Sequence, residues 1–277
     1  MNLQFFCPRW GNEDEFDVFC KKAKDEGYDG IEYGVAREAS AAELDKVWND
    51  AAKNDLSIIA QHYDTMDADF SRHYDNYCSW LEKVSGYPVV KINSQTGKDY
   101  FSFEQNAQLI KAAENRGAKV FHETHRNKFS FAAHITKGYL EKIPSLQITL
   151  DASHWVCVAE SYLEDQAPAM ELAIERTEHL HARVGYPEGP QVPDPRVSAW
   201  SEALQKHLAW WDKIAERKKQ RNELLTITPE FGPYPYMVHN PLTGTPLCNQ
   251  WVVNVYMMNL LKERFKLIKS AEKFSAT

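Results

Sequence analysis

In the stretch LQITLDASHW, residues 146–155, a run typical of a buried strand leads directly into polar residues, and this pattern is the main indication of the fold. It begins with apolar and β-branched residues, and Asp151 and His154 follow closely. Alternate side chains of a strand share a face, so Thr149 and Asp151 lie on one face and Leu150 on the other. Parallel α/β folds place polar functional side chains at the carboxyl ends of such strands. The stretch therefore predicts an α/β protein with a polar centre at the strand ends.

Strand-like runs of this kind alternate with helical stretches along the whole chain. The eight runs are LQFFC (3–7), DGIEYG (29–34), LSIIAQHY (56–63), YPVVKIN (87–93), AKVFHET (118–124), LQITLD (146–151), HLHARV (179–184) and LLTITPE (224–230). A helical pattern over 249–274 closes the chain. Strict alternation with connections of helix length predicts that the strands are parallel.

Eight such units can close into a (β/α)8 barrel or lie open as a doubly wound sheet. No GxGxxG follows the first strand, so the nucleotide fingerprint of open sheets is missing. We therefore predict a (β/α)8 TIM barrel. No linker rich in Pro, Gly or Ser interrupts the chain, which predicts one domain over residues 1–277. The long connections 185–196 and 231–248 follow strands at the same end, and we expect them to cover a substrate site.

The composition indicates a globular protein with a sizeable core, since 43% of the 277 residues are hydrophobic. The net charge of −7 disfavours a nucleic-acid partner, which requires basic patches. The longest apolar run near the C-terminus, residues 252–261, is too short to span a bilayer. No signal-peptide pattern opens the sequence, and the five cysteines include no CxxC. We therefore expect a cytoplasmic protein with neither a nucleic-acid nor a membrane partner.

The later strands share one feature, which is an acid or a histidine on the inward face at the carboxyl end. These residues are Glu123, Asp151, His181 and Glu230. Three carboxylates in one closed site repel one another and are costly to desolvate unless a cation neutralises them. The pattern therefore predicts one divalent metal ion. Oxygen-rich ligands with one imidazole favour Mn²⁺, Mg²⁺ or Co²⁺, and the ligand types also allow Zn²⁺.

Each part of this pattern also has an ordinary structural interpretation. An acid followed three residues later by a histidine is often a helix cap with a core histidine, and a glutamate after a strand is often solvated. We predict structural roles for His122, which lies on the opposite face, and for His179, which lies deeper in its strand. The metal interpretation depends on four neighbouring strands that each end in a ligand type on one face.

Four motifs, in this order on successive strands, resemble the xylose isomerase-like TIM barrel superfamily and most of all its sugar phosphate isomerase/epimerase branch. The motifs are HETHR (122–126), LDASHW (150–155), HLHARVG (179–185) and TPEFG (228–232). The resemblance implies that the four side chains named above hold the metal. It also implies that Glu123 and Glu230 act as the acid and base on opposite faces of the substrate.

The resemblance extends to substrate binding. It implies that His154 and Arg183 contact substrate oxygens, and that Glu32 and His62, at the ends of the second and third strands, line the cavity. Trp10, which follows the first strand, is predicted to offer an apolar wall to a sugar ring.

These residues predict a sugar isomerase or epimerase that acts on a ketose or keto-sugar by proton abstraction through a metal-stabilised enediolate. The alternative is a metal-dependent lyase or dehydratase of a keto-sugar or keto-glycoside. A non-catalytic sugar-binding barrel and an apurinic endonuclease are less favoured, and the endonuclease needs further histidines that VVKINSQT (89–96) and the segment after the seventh strand lack.

The expected partner is a small-molecule carbohydrate, and a homo-oligomer is left open. No cluster of Lys or Arg stands out at the strand ends, which favours an unphosphorylated substrate.

Overall fold

The computed structural model describes residues 2–116 and 119–270, and within them eight parallel strands close into a barrel. The strands are β1 (Asn2–Pro8), β2 (Gly30–Gly34), β3 (Ser57–His62), β4 (Lys91–Ser94), β5 (Val120–Glu123), β6 (Ile148–Leu150), β7 (Thr177–His181) and β8 (Leu224–Thr228). Each strand pairs with the next in sequence order, and β8 pairs with β1. The predicted (β/α)8 barrel is confirmed.

Nine α-helices lie in these described ranges and connect the strands or follow the last of them. They are α1 (Phe16–Asp25), α2 (Ala41–Lys53), α3 (Phe70–Ser85), α4 (Phe103–Glu114), α5 (Ala133–Lys142), α6 (Ala152–Ala159), α7 (Ala167–Arg176), α8 (Ser201–Gln220) and α9 (Gln250–Ser270). No helix in the described part of the chain combines the length and apolar character needed to span a bilayer.

The helices α2, α3, α4 and α6 each begin at a residue whose side chain accepts from a free N–H group of the first turn. Ser40 and Ser102 are the N-caps of α2 and α4, and each forms a complete capping box. In each box the side chain of the residue three positions later accepts a hydrogen bond from the serine N–H. The helices then bury apolar faces against the barrel wall. Trp80 of α3, Trp155 of α6 and Trp211 of α8 are almost completely buried there.

Most predicted strands differ from the observed ones by one or two residues at an end, and the largest differences concern two strands and one helix. The fourth strand begins at Lys91 and not at residue 87, and the seventh ends at His181, so Arg183 stands beyond the strand. Of the helix predicted over 249–274, α9 covers Gln250–Ser270, and residues 271–274 lie outside the described residues. Ala118, where the fifth strand was predicted to begin, also lies outside them.

Candidate metal centre and active site

A cavity of about 400 Å³ opens at the carboxyl end of the barrel. Its size is within the range of about 300–1,000 Å³ that is usual for small-molecule sites. The lining residues come from loops and strand ends around the barrel mouth: Arg9, Trp10, Gly34, Gln61, Tyr63, Gln95, Glu123, His125, Arg183, Glu230 and Tyr236. The long segment that follows β8 contributes Tyr236, so part of the predicted cover does reach the cavity.

Four buried side chains at the floor of this cavity form one cluster, hereafter the four-residue cluster. Its members are Glu123, Asp151, His181 and Glu230, and each offers a ligand atom within 4.8 Å of the other three. Glu123 and His181 end β5 and β7, whereas Asp151 and Glu230 follow β6 and β8. The strands β5, β6, β7 and β8 follow one another around the barrel, so their carboxyl ends converge on one point. The structure thus brings together the four side chains that the sequence pattern selected.

Asp151 is held by local bonds that fix both its backbone and its carboxylate. The Thr124 hydroxyl accepts from the Asp151 N–H at 2.8 Å and donates to the Asp151 carbonyl at 2.9 Å. Asp151 is also the N-cap of α6, and its Oδ1 accepts from the N–H of Ser153 at 3.0 Å and from the Ser153 hydroxyl at 2.5 Å. The helix-cap interpretation is therefore correct, and the same carboxylate still belongs to the cluster.

The charges of the cluster act strongly on one another. His181 Nδ1 lies 2.9 Å from Glu230 Oε2 and 3.6 Å from Glu123 Oε1. Burial disfavours an imidazolium, but the surrounding glutamates outweigh it and raise the pKa of His181 well above its usual range. Burial also opposes ionisation of Glu123, yet the attraction of His181 lowers the pKa of this carboxyl to about 2. Burial raises the pKa of Glu230.

The four-residue cluster fits a divalent cation on two grounds. Glu123 Oε1 is buried without a hydrogen-bond partner among the described residues, and His181 Nδ1, although 2.9 Å from Glu230 Oε2, is not aligned to form a hydrogen bond with it. Buried polar atoms are seldom left unsatisfied, so these two require a further partner. The donor set of three carboxylates and one imidazole suits Mn²⁺, Mg²⁺ or Co²⁺, and Zn²⁺ also accepts it. The cluster can therefore hold one divalent ion.

Arg183 connects the cluster to the cavity wall. Its guanidinium is buried, pairs with the Asp151 carboxylate, and lies 3.8 Å from Glu230 Oε2. The same group lies 4.7 Å from the centre of the Tyr236 ring. His154 stands behind it, with Nε2 at 2.7 Å from Arg183 Nη2 and Nδ1 accepting from Arg126 Nε at 3.1 Å. Arg183 lines the cavity, whereas His154 is fully buried and does not, so we leave out the predicted contact of His154 with substrate oxygens.

Two residues predicted to line the cavity lie elsewhere. Glu32 is only 3% exposed and lies beneath the cluster, with Oε1 at 3.0 Å from His181 Nε2 and Oε2 at 3.2 Å from His179 Nε2. His62 points away from the barrel interior, and its ring packs on Tyr77 and Trp80 of α3 at 4.8 Å from each. We therefore leave Glu32 and His62 out of the substrate contacts, for which Trp10 remains a candidate.

Several cavity residues were not selected from the sequence. His125 shares the face of Glu123 two positions earlier, so the period of the strand was a usable signal for it. Gln61 reaches the cluster, because its Nε2 donates to Glu230 Oε1 at 3.4 Å. Gln95 and Tyr236 lie in loops, where no periodic pattern indicates which side chains face inward.

Gly185 supports the cluster by allowing a close approach to α6. A Cβ at this position would lie 2.8 Å from Ser153 Cα, so Gly185→Ala must displace the start of α6. Ser153 bonds both Asp151 and Arg183. We expect Gly185→Ala to reduce the free energy of unfolding by about 1–3 kcal/mol. Because Ser153 orients a proposed ligand, we also expect Mn²⁺ affinity to fall about 10–100-fold in a calorimetric titration.

The matched control is Gly138→Ala in α5, where an added Cβ meets no heavy atom within 4 Å. Replacing a helical glycine in open space is expected to stabilise the protein by about 0.5–1 kcal/mol and to leave Mn²⁺ affinity unchanged. Wild-type Mn²⁺ affinity in Gly185→Ala would show that the position of Ser153 does not control the cluster.

Comparison with known proteins gives structural similarity only. No family model matches the chain, and no curated protein matches it. D-psicose 3-epimerase from Clostridium cellulolyticum H10, solved with D-tagatose, has 14% identity and a TM-score of 0.54, covering 92% of this chain and 89% of that one. A probable 3-DHS dehydratase of petrobactin synthesis from Bacillus anthracis has 16% identity and a TM-score of 0.59, covering 95% and 99%.

A family 2 AP endonuclease from Brucella melitensis is also similar, with 11% identity and a TM-score of 0.54 over 83% of this chain and 93% of that one. These three proteins have different activities on one type of barrel. Identities this low show a shared fold and do not transfer a reaction or a substrate.

Proposed function

We propose that this chain, whose fold is that of the xylose isomerase-like superfamily of TIM barrels, is a divalent-metal-dependent isomerase or epimerase of a ketose or keto-sugar. One observation carries the proposal. Glu123 and Glu230 belong to the four-residue cluster and also line the cavity, so both carboxylates can reach a bound molecule. They come from β5 and β8, which are not neighbours in the barrel.

The proposed reaction moves a proton at the carbon next to a carbonyl group. A carboxylate placed against that carbon removes the proton, and a second carboxylic acid returns it, which for one positioned group contributes about 10²–10⁴-fold in rate. We assign these two roles to Glu123 and Glu230. A divalent ion held by the cluster would supply positive charge that stabilises negative charge developing on the substrate oxygens.

Other residues orient the substrate in this proposal. Arg183 presents a guanidinium to the cavity while Asp151 fixes its position, so it can donate to a substrate oxygen. The Trp10 ring stands edge-on to the Tyr236 ring at 5.2 Å, and together they offer an apolar wall of the kind that sugar rings pack against. The D-tagatose bound by the D-psicose 3-epimerase is a ketose of the class that we propose here.

A lyase or dehydratase is the second candidate, and His125 is the observation that favours it. Elimination needs an acid for the departing hydroxyl group in addition to the base that removes the proton. His125 lines the cavity close to Glu123, and burial lowers its pKa. A neutral imidazole can accept a proton from one position and deliver it to another. One of the similar structures is that of a probable dehydratase.

An endonuclease function is not proposed, although one similar structure is an AP endonuclease. The chain carries a net charge of −7, which opposes the approach of a phosphate backbone. A cytoplasmic location and a role in carbohydrate metabolism are also part of the proposal.

The test is solvent exchange at carbon. The protein is loaded with Mn²⁺ and incubated in D₂O with a panel of ketoses and keto-sugars, and deuterium incorporation and products are followed by NMR. We expect exchange together with an isomeric sugar, and loss of both after chelation. Exchange with an unsaturated product indicates the lyase. Absence of exchange with every sugar contradicts the proposed reaction and leaves a binding protein.

A further inference from the structure

Two buried lysines meet beside the cavity. Lys98 follows β4 and is 3% exposed, and Lys128 follows β5 and is 2% exposed. Their ammonium groups converge on one thioether, since Met66 Sδ lies 3.5 Å from Lys98 Nζ and 3.7 Å from Lys128 Nζ. Among the described residues no carboxylate pairs directly with either ammonium group, and the opposite charges that act on Lys98 and Lys128 do so from a longer range. We call Lys98 and Lys128 the lysine pair, and Met66 covers it.

This arrangement is electrostatically unfavourable as it stands. An ammonium group has three N–H donors, and a thioether sulfur is only a weak acceptor. Burying a charge without an opposite charge is costly, and here two like charges are brought to one point. Burial, followed by the charge of Lys98, lowers the pKa of Lys128 to about 8, although Glu123, Asp64 and Asp99 oppose that shift. Burial also lowers the pKa of Lys98, although Asp99 and Asp67 oppose that shift.

A third buried group near the lysine pair also lacks a partner. His73 Nδ1 bonds the Asp67 carbonyl at 3.0 Å, which leaves Nε2 as the free nitrogen. That Nε2 is buried and has no hydrogen-bond partner among the described residues. Burial mainly, and then the charges of Lys128 and Lys98, lower the pKa of His73, so the two ammonium groups act on this ring.

The charge of Lys128 interacts with Glu123 and His125, which both line the cavity, so the lysine pair lies near the cavity wall. Met66, Lys98 and Lys128 each stand three positions after a residue that lines the cavity. Those lining residues are Tyr63, Gln95 and His125. Met66 is 53% exposed, so its side chain is not held in a packed core and can turn into solvent. Its displacement would open the ammonium groups to a molecule in the cavity.

We propose that Lys98 and Lys128 form an anion subsite that binds a phosphate monoester or a carboxylate carried by the substrate. The assignment of that anion to a keto-sugar rests on the proposed function, whereas the subsite itself does not. An anion between the two ammonium groups would satisfy their N–H donors and offset the repulsion between the two charges. The substrate is then an acidic or phosphorylated ketose, in place of the unphosphorylated sugar that the sequence favoured.

Anion binding is tested on metal-free protein, so that the four-residue cluster cannot hold the probe through a metal. After dialysis to remove metal and chelator, inorganic phosphate and acetate are titrated separately in a calorimeter. The variants are Lys98→Met and Lys128→Met, which keep the aliphatic length and remove the charge. The control is Lys53→Met on α2, where the lysine side chain is 73% exposed.

We expect wild type and Lys53→Met to bind at least one probe, and each lysine-pair variant to bind it at least tenfold more weakly. Binding of phosphate alone identifies a phosphate monoester, and binding of acetate identifies a carboxylate. The melting temperatures of the two Met variants should equal or exceed that of wild type, because one of two like charges that are buried together is removed. Lys→Gln variants at both positions serve as a second pair if either Met variant fails to fold.

Failure of both probes to bind wild type overturns the subsite, and so does wild-type affinity in the lysine-pair variants. Neither result depends on turnover. If phosphate or acetate binds as expected but no sugar exchanges carbon-bound hydrogen with solvent, the proposed reaction is contradicted and the anion subsite is still supported.

Discussion

Glu230→Gln should lower the rate of hydrogen exchange between a reactive ketose and solvent by about 10²–10⁴-fold, which is the usual contribution of one positioned acid or base. An amide keeps the shape of the carboxyl group but cannot accept or release the proton. Glu123, Asp151 and His181 remain in the cluster, so much of the Mn²⁺ should stay bound. Exchange is measured by NMR in D₂O, and bound Mn²⁺ by elemental analysis of dialysed protein.

The control for this change is Glu171→Gln, which makes the same substitution in an exposed ion pair with Lys213. It should leave both exchange and Mn²⁺ content unchanged. Exchange at the wild-type rate in Glu230→Gln would remove Glu230 from the chemistry. Loss of exchange together with complete loss of Mn²⁺ would make Glu230 a ligand whose role in proton transfer has no support.

Arg183→Met should lower the free energy of unfolding by about 3–5 kcal/mol, the usual cost of removing one partner of a buried ion pair. The Asp151 carboxylate is 0% exposed and would be left without its guanidinium partner. The substitution also removes the donor to the Ser153 hydroxyl. Chemical denaturation of the metal-free protein measures the loss.

The chain contains a matched pair for this experiment. Arg196 and Asp194 form the same kind of ion pair at the surface, with side chains 37% and 19% exposed. Because water screens an exposed pair, Arg196→Met should cost no more than about 1 kcal/mol. Equal losses in the two variants would contradict the view that Asp151 depends on Arg183 for its charge balance.

The barrel could be predicted because its signal repeats along the chain. Each strand is a short β-rich run, and each connection is of helix length, so the alternation is visible without knowledge of any contact. The boundaries were less predictable. Pro88 was included in the fourth strand, but its carbonyl accepts from the indole N–H of Trp48 at 2.8 Å. That segment docks on α2, and the strand begins at Lys91.

The two misplaced residues show the limits of reasoning from strand ends. Gln61 lines the cavity, so the next residue, His62, must face the helices. Glu32 does face inward, but it pairs in register with Ile59, whereas Gly34 and Gln61 pair at the level of the cavity. Depth along the barrel therefore separates Glu32 from the cavity, and that depth depends on the register between strands.

The lysine pair could not be predicted for a related reason. Lys98 and Lys128 lie on different loops, and nothing in the spacing of either loop indicates that their ammonium groups meet. The four-residue cluster was accessible because its members stand at strand ends, where the closed barrel forces them together.

Metal binding by the four-residue cluster is tested by a crystal structure of the protein soaked with Mn²⁺, with the ion located by its anomalous scattering. We expect one strong peak at the floor of the cavity, coordinated by Glu123, Asp151, His181 and Glu230. A structure without a peak there, from a protein that also retains no metal in solution, would contradict this expectation. A peak held by other side chains would do the same.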